Sequence, residues 1–469
     1  MRLPIMVSLQ AVVRIDPVEA STEPANCAGT ISTHLDTSSG AASMLHTLIR
    51  GLAFSFLLCG ACAQAETVHV RAGALLDVLQ GRMLQDQAIL IEDGRIVRVG
   101  SARDLPAPAD ARLLDLSDMT VLPGLIDAHV HLTADANSHG YRALTRSTIR
   151  DALYGVKGAH DTVMAGFTTV RNLGAGGYGD VDLRDAIEAG EFPGPRMVVS
   201  GPSIGITGGH CDNNLLPAEY NARADGIADG PWAVRTKVRE NHKYGADVIK
   251  YCATGGVLSK NTNLNAQQFT DEEMLALVDE AHTLGLRVAA HAHGAGGINA
   301  AIRAGVDSVE HASMIDDSGI AMALERGTTL VMDVYVSDFI LSEGAAAGIL
   351  EESLAKEREV GALQRARFRA AVEAGVTVVF GTDAGVYPHG LNGRQFAFMV
   401  EHGMTPLQAI AAATINAAVL LDREQDIGAI AVGRFADLIA VSGDPLTDIR
   451  TLESVQVVIK GGELVKDTR

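Results

Sequence analysis

The sequence predicts an α/β fold, a TIM (β/α)8 barrel carrying a small β-sandwich built from both chain ends. Three observations predict it. Eight short apolar runs recur through the middle of the 469-residue chain. Stretches of helical periodicity lie between several of them, which is the βαβ signature. Short alternating segments, broken by Gly and Asp, flank this region on both sides. Eight β/α units over about 300 residues suit a barrel of ~250 residues plus insertions. A doubly wound sheet is the structural alternative, but eight units favour closure.

Composition sets the outer limits. Apolar residues make up 47% and charged residues 20%, which excludes a disordered, collagen-like or coiled-coil chain. At roughly 100–200 residues per domain, the length suggests two or three domains, or one large barrel with a satellite. Lys and Arg number 38 against 57 Asp and Glu, a formal net charge of −19. No Lys/Arg run offers a surface that follows phosphates, so nucleic acid is not an expected partner.

The chain opens with a segment to be set apart from the fold. Residues 44–65 read MLHTLIRGLAFSFLLCGACAQA. Arg50 is basic, 51–62 is apolar, and Ala63-Gln64-Ala65 is an A-x-A cleavage site. The apolar stretch is too short to span a bilayer. We expect a signal peptide at 44–65, cut before Glu66, and a mature protein that is secreted or periplasmic and free of the membrane. A lipoprotein signal fits less well, because Cys59 stands where a lipobox wants Leu. Residues 1–43 read as disordered or as an artefact of an upstream start, since Met44 begins a complete signal. Three of the five cysteines, Cys27, Cys59 and Cys62, belong to this region. Cys211 and Cys252 remain; export would permit one bridge, and the sequence leaves their pairing open.

Residues 66–122 form the first part of the expected sandwich, through VHVRAGALLDV, QAILIEDGRIVRVGS and ARLLDL. Residues 426–469 form the second part, through DLIAVSGDPL and VQVVIKGGELV. The barrel is expected over 123–425. Its strand candidates are LIDAHVH (125–131), FTTVRNL (167–173), RMVVSG (196–201), DVIKYCA (247–253), RVAAHAH (287–293), SVEHAS (308–313), TLVMDVYV (329–336) and TVVFGTDA (377–384). DEEMLALVDEAHTLG, INAAIRAG and FRAAVEAG carry apolar residues at helical spacing and end in Gly.

Barrel chemistry sits where strands end. The first run ends in His129 and His131, which share one strand face at i and i+2 and so form a chelating pair. The fourth holds Lys250 among apolar residues. A buried ammonium is costly unless paired. Lys250 therefore either meets a carboxylate or has reacted with CO₂, which would turn it into a carboxylate able to bridge two metals. The fifth run ends in His291 and His293, and the sixth holds Glu310 and His311. The eighth ends in Gly381-Thr382-Asp383-Ala384-Gly385, where glycines let the chain turn closely around an exposed Asp. Together these residues fall at one barrel end, and imidazole and carboxylate donors suit zinc. A two-metal site would hold and acidify a water.

The segments DAHVHL, VIKYCATGG, AAHAHG, VEHAS and GTDAG resemble the amidohydrolase superfamily in its two-metal, carbamylated-lysine form. The resemblance spans nearly all of the mature chain. It is greatest to the branch of ochratoxinases, Xaa-Pro and other dipeptidases, and imidazolonepropionase-like proteins. That branch's ISxTGGH motif stands here as IGITGGH, 204–210, with Gly205 for Ser. The spacings from Lys250 to His291 and on to His311, 41 and 20 residues, also fit.

The resemblance implies roles residue by residue. His129 and His131 bind the more buried zinc with Asp383, carboxylated Lys250 bridges both ions, and His291 and His311 bind the second. Asp383 takes a proton from the attacking water and delivers it to the leaving nitrogen. His210 and His293 are candidates for contacting the substrate oxyanion or carboxylate, against packing roles. The implied partner is a small amide or dipeptide, and the implied assembly a homo-oligomer, often an octamer. The leading function is a secreted amide hydrolase for N-acyl amino acids or dipeptides. Ochratoxin A, cleaved to L-phenylalanine and ochratoxin α, is the favoured concrete reaction. The alternative is a dipeptidase for Xaa-Pro or Xaa-Arg/Lys. Below these stand an imidazolonepropionase-like lactam hydrolase and a binding protein on an inactive barrel. Keeping both Lys250 and Asp383 argues against the last. A deaminase is disfavoured, because Gly294 stands three residues after His291 where that branch has Glu.

Other features carry less. Gly174 to Gly179 satisfies G-x-G-x-x-G, but it follows the second run and no acidic residue ends the third, so it reads as a barrel loop. Asp333 and Tyr335 end the seventh run and read equally as pocket or core. The charged stretch 351–369 reads as a solvated face or a subunit contact. The loop 258–268 follows Lys250 closely enough to cover the site.

Overall fold

The computed structural model describes residues 67–469, so the expected signal peptide at 44–65 and the segment before it lie outside the described residues. The first strands are β1 (Thr67–Asp77), β2 (Arg82–Glu92), β3 (Arg95–Ser101) and β4 (Arg112–Pro123). The eight strand candidates of the barrel region follow as β5 (Leu125–Val130), β6 (Phe167–Asn172), β7 (Arg196–Val199), β8 (Val248–Cys252), β9 (Arg287–Ala292), β10 (Ser308–His311), β11 (Thr329–Val331) and β12 (Val378–Val379). The chain ends in β13 (Leu438–Val441), β14 (Val457–Lys460) and β15 (Glu463–Asp467).

β5 to β12 are parallel strands in two sheets, ordered β5-β6-β7 and β12-β11-β10-β9-β8. Apart from β7, which is half buried, they are buried along nearly their whole length, as expected where helices cover a parallel sheet. Backbone bonds cross both seams. His131 N donates to Ala384 O (2.7 Å) and Asp383 N to His129 O (2.8 Å). Asp247 N donates to Val199 O (2.7 Å) and Cys252 N to Ile204 O (2.9 Å).

The small β unit draws on both chain ends in one continuous sheet, ordered β15-β14-β13-β4-β1-β2-β3. β4 joins the halves by pairing antiparallel with β13. The edge strand β3 meets the residues before β13, with Ile96 N donating to Arg434 O and Ala436 N to Gly94 O (both 2.9 Å). The sheet bends around its own apolar cluster, which includes Val70, Ile89, Leu116, Leu438 and Ile459. Asp437 ties it to the strands of the barrel region, taking Arg196 Nε of β7 (2.8 Å) and Gly461 N (2.7 Å) on its carboxylate.

Helices form where the periodicity indicated. Thr270 and Glu273 make a reciprocal capping box on the helix Asp271–Thr283. Gly305 and Gly375 end the helices Ala295–Ala304 and Glu351–Ala374 in the left-handed conformation. Among the described residues no helix is long and apolar enough to cross a membrane.

The stretch read from sequence as a solvated face or subunit contact does expose Glu351, Glu352, Arg358 and Glu359, but it also has a buried face. The helix Glu351–Ala374 buries Ser353, Glu357, Val360, Gln364, Phe368 and Ala371 on one stripe. Ser353, Glu357 and Gln364 make that face partly polar, and Glu357 and Gln364 line the cavity described below, so the hydrophobic pattern was masked.

Candidate active site

Strand ends β5, β8, β9 and β10 and the turn after β12 converge on one cavity of about 260 Å³. All eight side chains singled out from sequence line it: His129, His131, Lys250, His291, His311, Asp383, His210 and His293. A wider outer basin, of about 630 Å³, shares His131, Ser203, His210 and Leu258 with it and opens toward solvent.

Local backbone explains why these side chains meet. Asp383 is held at φ 57°, and His311 and Ala312 at φ 66° and 47°. Left-handed backbone at non-glycine residues costs about 1–3 kcal/mol each and persists where surrounding structure imposes it. Asp127 imposes part of it here. Its buried carboxylate accepts from Thr382 Oγ1 (2.6 Å), Asn392 Nδ2 (2.8 Å), and the amides of His129 and Thr382 (both 3.2 Å). One side chain thereby sets both the turn that presents Asp383 and the strand that presents His129. Gly385, at φ 116°, lets the chain pass His131, since a Cβ there would lie 2.6 Å from His131 O.

Three overlapping donor sets face the cavity, one of them His311, Asp333 and Asp383. His129, His131 and Asp383 have ligand atoms within 4.8 Å of one another, and so do His291, His293 and His311. Asp383 Oδ1 lies 3.2 Å from His131 Nε2 and 3.5 Å from His129 Nε2. The opposite ring nitrogens face oxygens. His311 Nδ1 lies 2.9 Å from Asp333 Oδ2, and His293 Nδ1 lies 2.8 Å from Ser313 Oγ. This is how metal-binding imidazoles are oriented in general, with one nitrogen fixed and the other left free.

Electrostatics favour the neutral form of His129, His210, His291 and His293. Burial, then the positive neighbours Lys250 and His311 among others, holds His129 and His293 well below the ordinary histidine value. Burial pushes His210 down to about 3. Burial also opposes charge on His311, but the Asp333 carboxylate overcomes it and raises this ring. Burial alone would raise Asp383; the hydrogen bond and charge of His131, with His311 and Lys250, hold it below the usual range. Burial lowers the Lys250 ammonium to about 8.

Several neighbours were not assigned from sequence. Asp333 proves a pocket residue, bonded to His311 and taking Gln364 Nε2 on its other oxygen (2.8 Å). Tyr335, offered beside it, packs instead on Tyr387 and Phe398. Gln364 and Glu357 of the helix Glu351–Ala374 reach the cavity wall. Their seven-residue spacing, two helical turns, was the one available signal.

His210 closes one side. Its ring lies 4.1 Å from that of His291, on a seat that only Gly256 provides: a Cβ at Gly256 would come within 2.3 Å of the His210 ring. The next residue, Cys211, forms a disulfide with Cys252, which fastens this loop to the strand of Lys250. The expected covering loop contributes Leu258 to the cavity. Lys356 holds that loop by donating to Ser259 O (2.6 Å) and Gly256 O (3.1 Å). The glycine-rich 174–179 segment lines the outer basin, and Asp225 already takes the Gly177 amide at 2.9 Å.

The donor chemistry fits divalent metal. Compact sets of imidazole and carboxylate donors facing a common space are what zinc-type ions require. His129, His131 and Asp383 can hold one ion. His291 and His311, with His293 within the same reach, can hold another. Metal bound there would supply Lewis acidity and a more acidic water.

The fold and site are those of a hydrolase with side chains that could hold metal, and the chain belongs to the amidohydrolase family, whose profile matches residues 120–465. It is a hydrolytic enzyme. Its relatives are specific. The sequence is 34% identical over 426 residues to the ochratoxinase of Aspergillus niger, covering 86% of this chain and 87% of that one. The crystal structure of A. niger ochratoxinase matches with a TM-score of 0.76 and 33% identity, over 86% of this chain and 96% of that one. A crystal structure of a Xaa-Pro dipeptidase with bound methionine matches with a TM-score of 0.80 and 38% identity, over 86% of this chain and all of that one.

Proposed function

We propose that the protein is an exported, zinc-dependent amide hydrolase that releases an amino acid from N-acyl amino acids or dipeptides. Hydrolysis of ochratoxin A to L-phenylalanine and ochratoxin α is the favoured concrete reaction. The observation that carries the reading is the gathering of His129, His131, Lys250, His291, His311 and Asp383 around one cavity. In this reading the eight parallel strands close as one (β/α)8 barrel, which the backbone bonds across both seams support. His129, His131 and Asp383 would hold one zinc ion, and His291 and His311 the other, with Lys250, carboxylated on Nζ, supplying a further carboxylate ligand. Carboxylation needs the neutral amine, and the lowered pKa of the buried amine supports it. The pair of ions would supply an acidified water and polarise the amide carbonyl.

The protein's own groups do the rest. Asp383 accepts the proton of the attacking water and passes it to the leaving nitrogen, so one carboxylate serves as base and then acid. Asp333 and Ser313 orient His311 and His293. His210 and His293 contact the developing oxyanion or the substrate carboxylate. The apolar wall of Val336, Ile340 and Val360 gives an amino-acid side chain a place to lie. Export agrees with the 44–65 signal and with a disulfide, which persists in oxidising compartments. A homo-oligomer, an octamer in the fullest form of this reading, rests on the family resemblance.

A second reading, a Xaa-Pro dipeptidase, is favoured by the match to the solved Xaa-Pro dipeptidase. One experiment separates them. Protein prepared with zinc and bicarbonate is given ochratoxin A, N-acyl amino acids, Xaa-Pro and Xaa-Arg/Lys dipeptides and a lactam, and the products are identified by mass spectrometry. The proposal expects phenylalanine from the toxin. Release from proline dipeptides alone moves the protein to the second reading. Metal-loaded protein that cleaves no amide contradicts both.

A further inference from the structure

Behind His129 lies a buried polar chain that crosses the space between the two sheets. Arg171, on the middle strand β6 of one sheet, and Glu310, on the middle strand β10 of the other, are 2% and 0% exposed. Arg171 Nη2 donates to Glu310 Oε1 at 2.8 Å, Nη1 to Ser308 Oγ at 3.0 Å, and Nε to Ala128 O at 2.6 Å. The Ser308 hydroxyl donates to Glu310 Oε1 at 2.6 Å. Glu310 Oε2 lies 2.9 Å from His129 Nδ1, a close buried contact that is not aligned as a hydrogen bond, and neither atom has a hydrogen-bonding partner elsewhere.

We propose that Glu310, braced by Arg171 and Ser308, is a positioning residue that fixes the tautomer and orientation of His129. The inference rests on the reading of His129 as a metal ligand. A neutral imidazole carries one N–H and one lone pair, and the nitrogen that finds an acceptor takes the proton. With Glu310 at Nδ1, the lone pair belongs to Nε2, which faces Asp383 Oδ1 and the cavity. A buried carboxylate is costly without a counter-charge. Arg171 supplies it, and its bond to Ala128 O anchors the same guanidinium to the strand that carries His129. The Arg171–Glu310 pair therefore does more than cross-link strands. It stands behind one ring, as Asp333, hydrogen-bonded to Nδ1, stands behind the neighbouring His311.

The test reads metal, with activity second. Wild type, Glu310→Gln and Ser308→Ala are loaded with zinc or cobalt, and three quantities are measured: ions per chain, release rate to a chelator, and the cobalt absorption spectrum. Near-UV circular dichroism and Tm establish that each variant is folded. Glu310→Gln is expected to release metal about 10–100-fold faster, the usual effect of losing an oriented partner behind a ligand. Ser308→Ala, a smaller change that leaves the ion pair in place, is expected to accelerate release about threefold or more. In both, the cobalt spectrum shifts and kcat falls with little change in KM. Folded variants with wild-type release rates and spectra overturn the proposal. If Glu310→Gln does not fold, Ser308→Ala decides in the same way. A wild type that takes up no divalent metal overturns instead the underlying reading of the site, and this inference with it.

Discussion

Asp383 carries the sharpest expectation at the scale of single residues, because it stands at the junction of two imidazoles and the cavity. Asp383→Asn keeps the shape and removes proton transfer, so kcat should fall about 10²–10⁴-fold. Wild-type turnover in that variant would contradict the assigned role. Lys250→Ala should lose metal and activity together, measured as ions per chain beside turnover; full activity would end the bridging-lysine reading. His293→Ala should lower kcat about 10²–10³-fold with metal retained, if the ring serves the oxyanion. Loss of an ion in that variant would instead make His293 a ligand, which its place in the donor set with His291 and His311 allows. Lys250 also sets a pH dependence in metal-free protein. Burial lowers its pKa from 10.5 to about 8. Below 8 the lysine is charged in both folded and unfolded chains. Between about 8 and 10.5 only the unfolded chain holds the proton, so stability contributed by this group rises with pH across that window. Reactivation by zinc and bicarbonate should rise through pH 8 as the amine becomes neutral. A pH-independent yield from 7 to 9 would count against a neutral Lys250 as the reacting group.

Individual elements matter through the loops they hold. The Cys211–Cys252 disulfide closes 41 residues and joins the His210 loop to β8. A loop of that length corresponds to about 4 kcal/mol of denatured-state constraint. Cys211→Ser with Cys252→Ser should therefore lower Tm, and should also raise KM, because the seat of His210 loosens. An unchanged KM would separate the disulfide from the site. Gly256→Ala should act on the same ring without touching the disulfide. Overpacking of this kind costs roughly 1–3 kcal/mol, and the displaced His210 should impair turnover. The strand ends were legible in the sequence because period-two histidine pairs and a glycine-flanked Asp are local signals. His129, His131, His291 and Asp383 could be gathered on one rim for that reason, and His311 and Lys250 because they too lie in apolar strand runs. Asp333, Gln364 and Glu357 were harder. Asp333 ends a strand that reads equally as core, and Gln364 and Glu357 sit on a charged helix whose buried stripe is itself polar. Arg171 and Glu310 stand 139 positions apart, and nothing local connects them.

For the whole molecule, the α/β fold followed from counting eight apolar runs, and each run contains a strand of the parallel set. The joining of the two chain ends was also legible, from their shared alternating texture. The order of the seven strands was not, since β4 must run past β1 before it meets β13, and register of that kind is fixed by tertiary pairing. Asp437 is the point where this sheet grips β7 through Arg196, whose guanidinium also lies 3.7 Å from the Phe435 ring. Breaking a pair with a buried member is costly, about 3–5 kcal/mol. Asp437→Ala should thus lower Tm while the remaining folded protein keeps its metal; a large loss of metal at unchanged Tm would contradict a purely structural joint.

The central claim is that amide cleavage by this chain depends on metal held by the gathered histidines, Lys250 and Asp383. The most direct measurement follows phenylalanine release from ochratoxin A by wild-type protein as isolated, after removal of metal with a chelator, and after zinc and bicarbonate are returned. The account predicts release that disappears on stripping and returns with two zinc ions per chain. Release that persists in metal-free protein would contradict it.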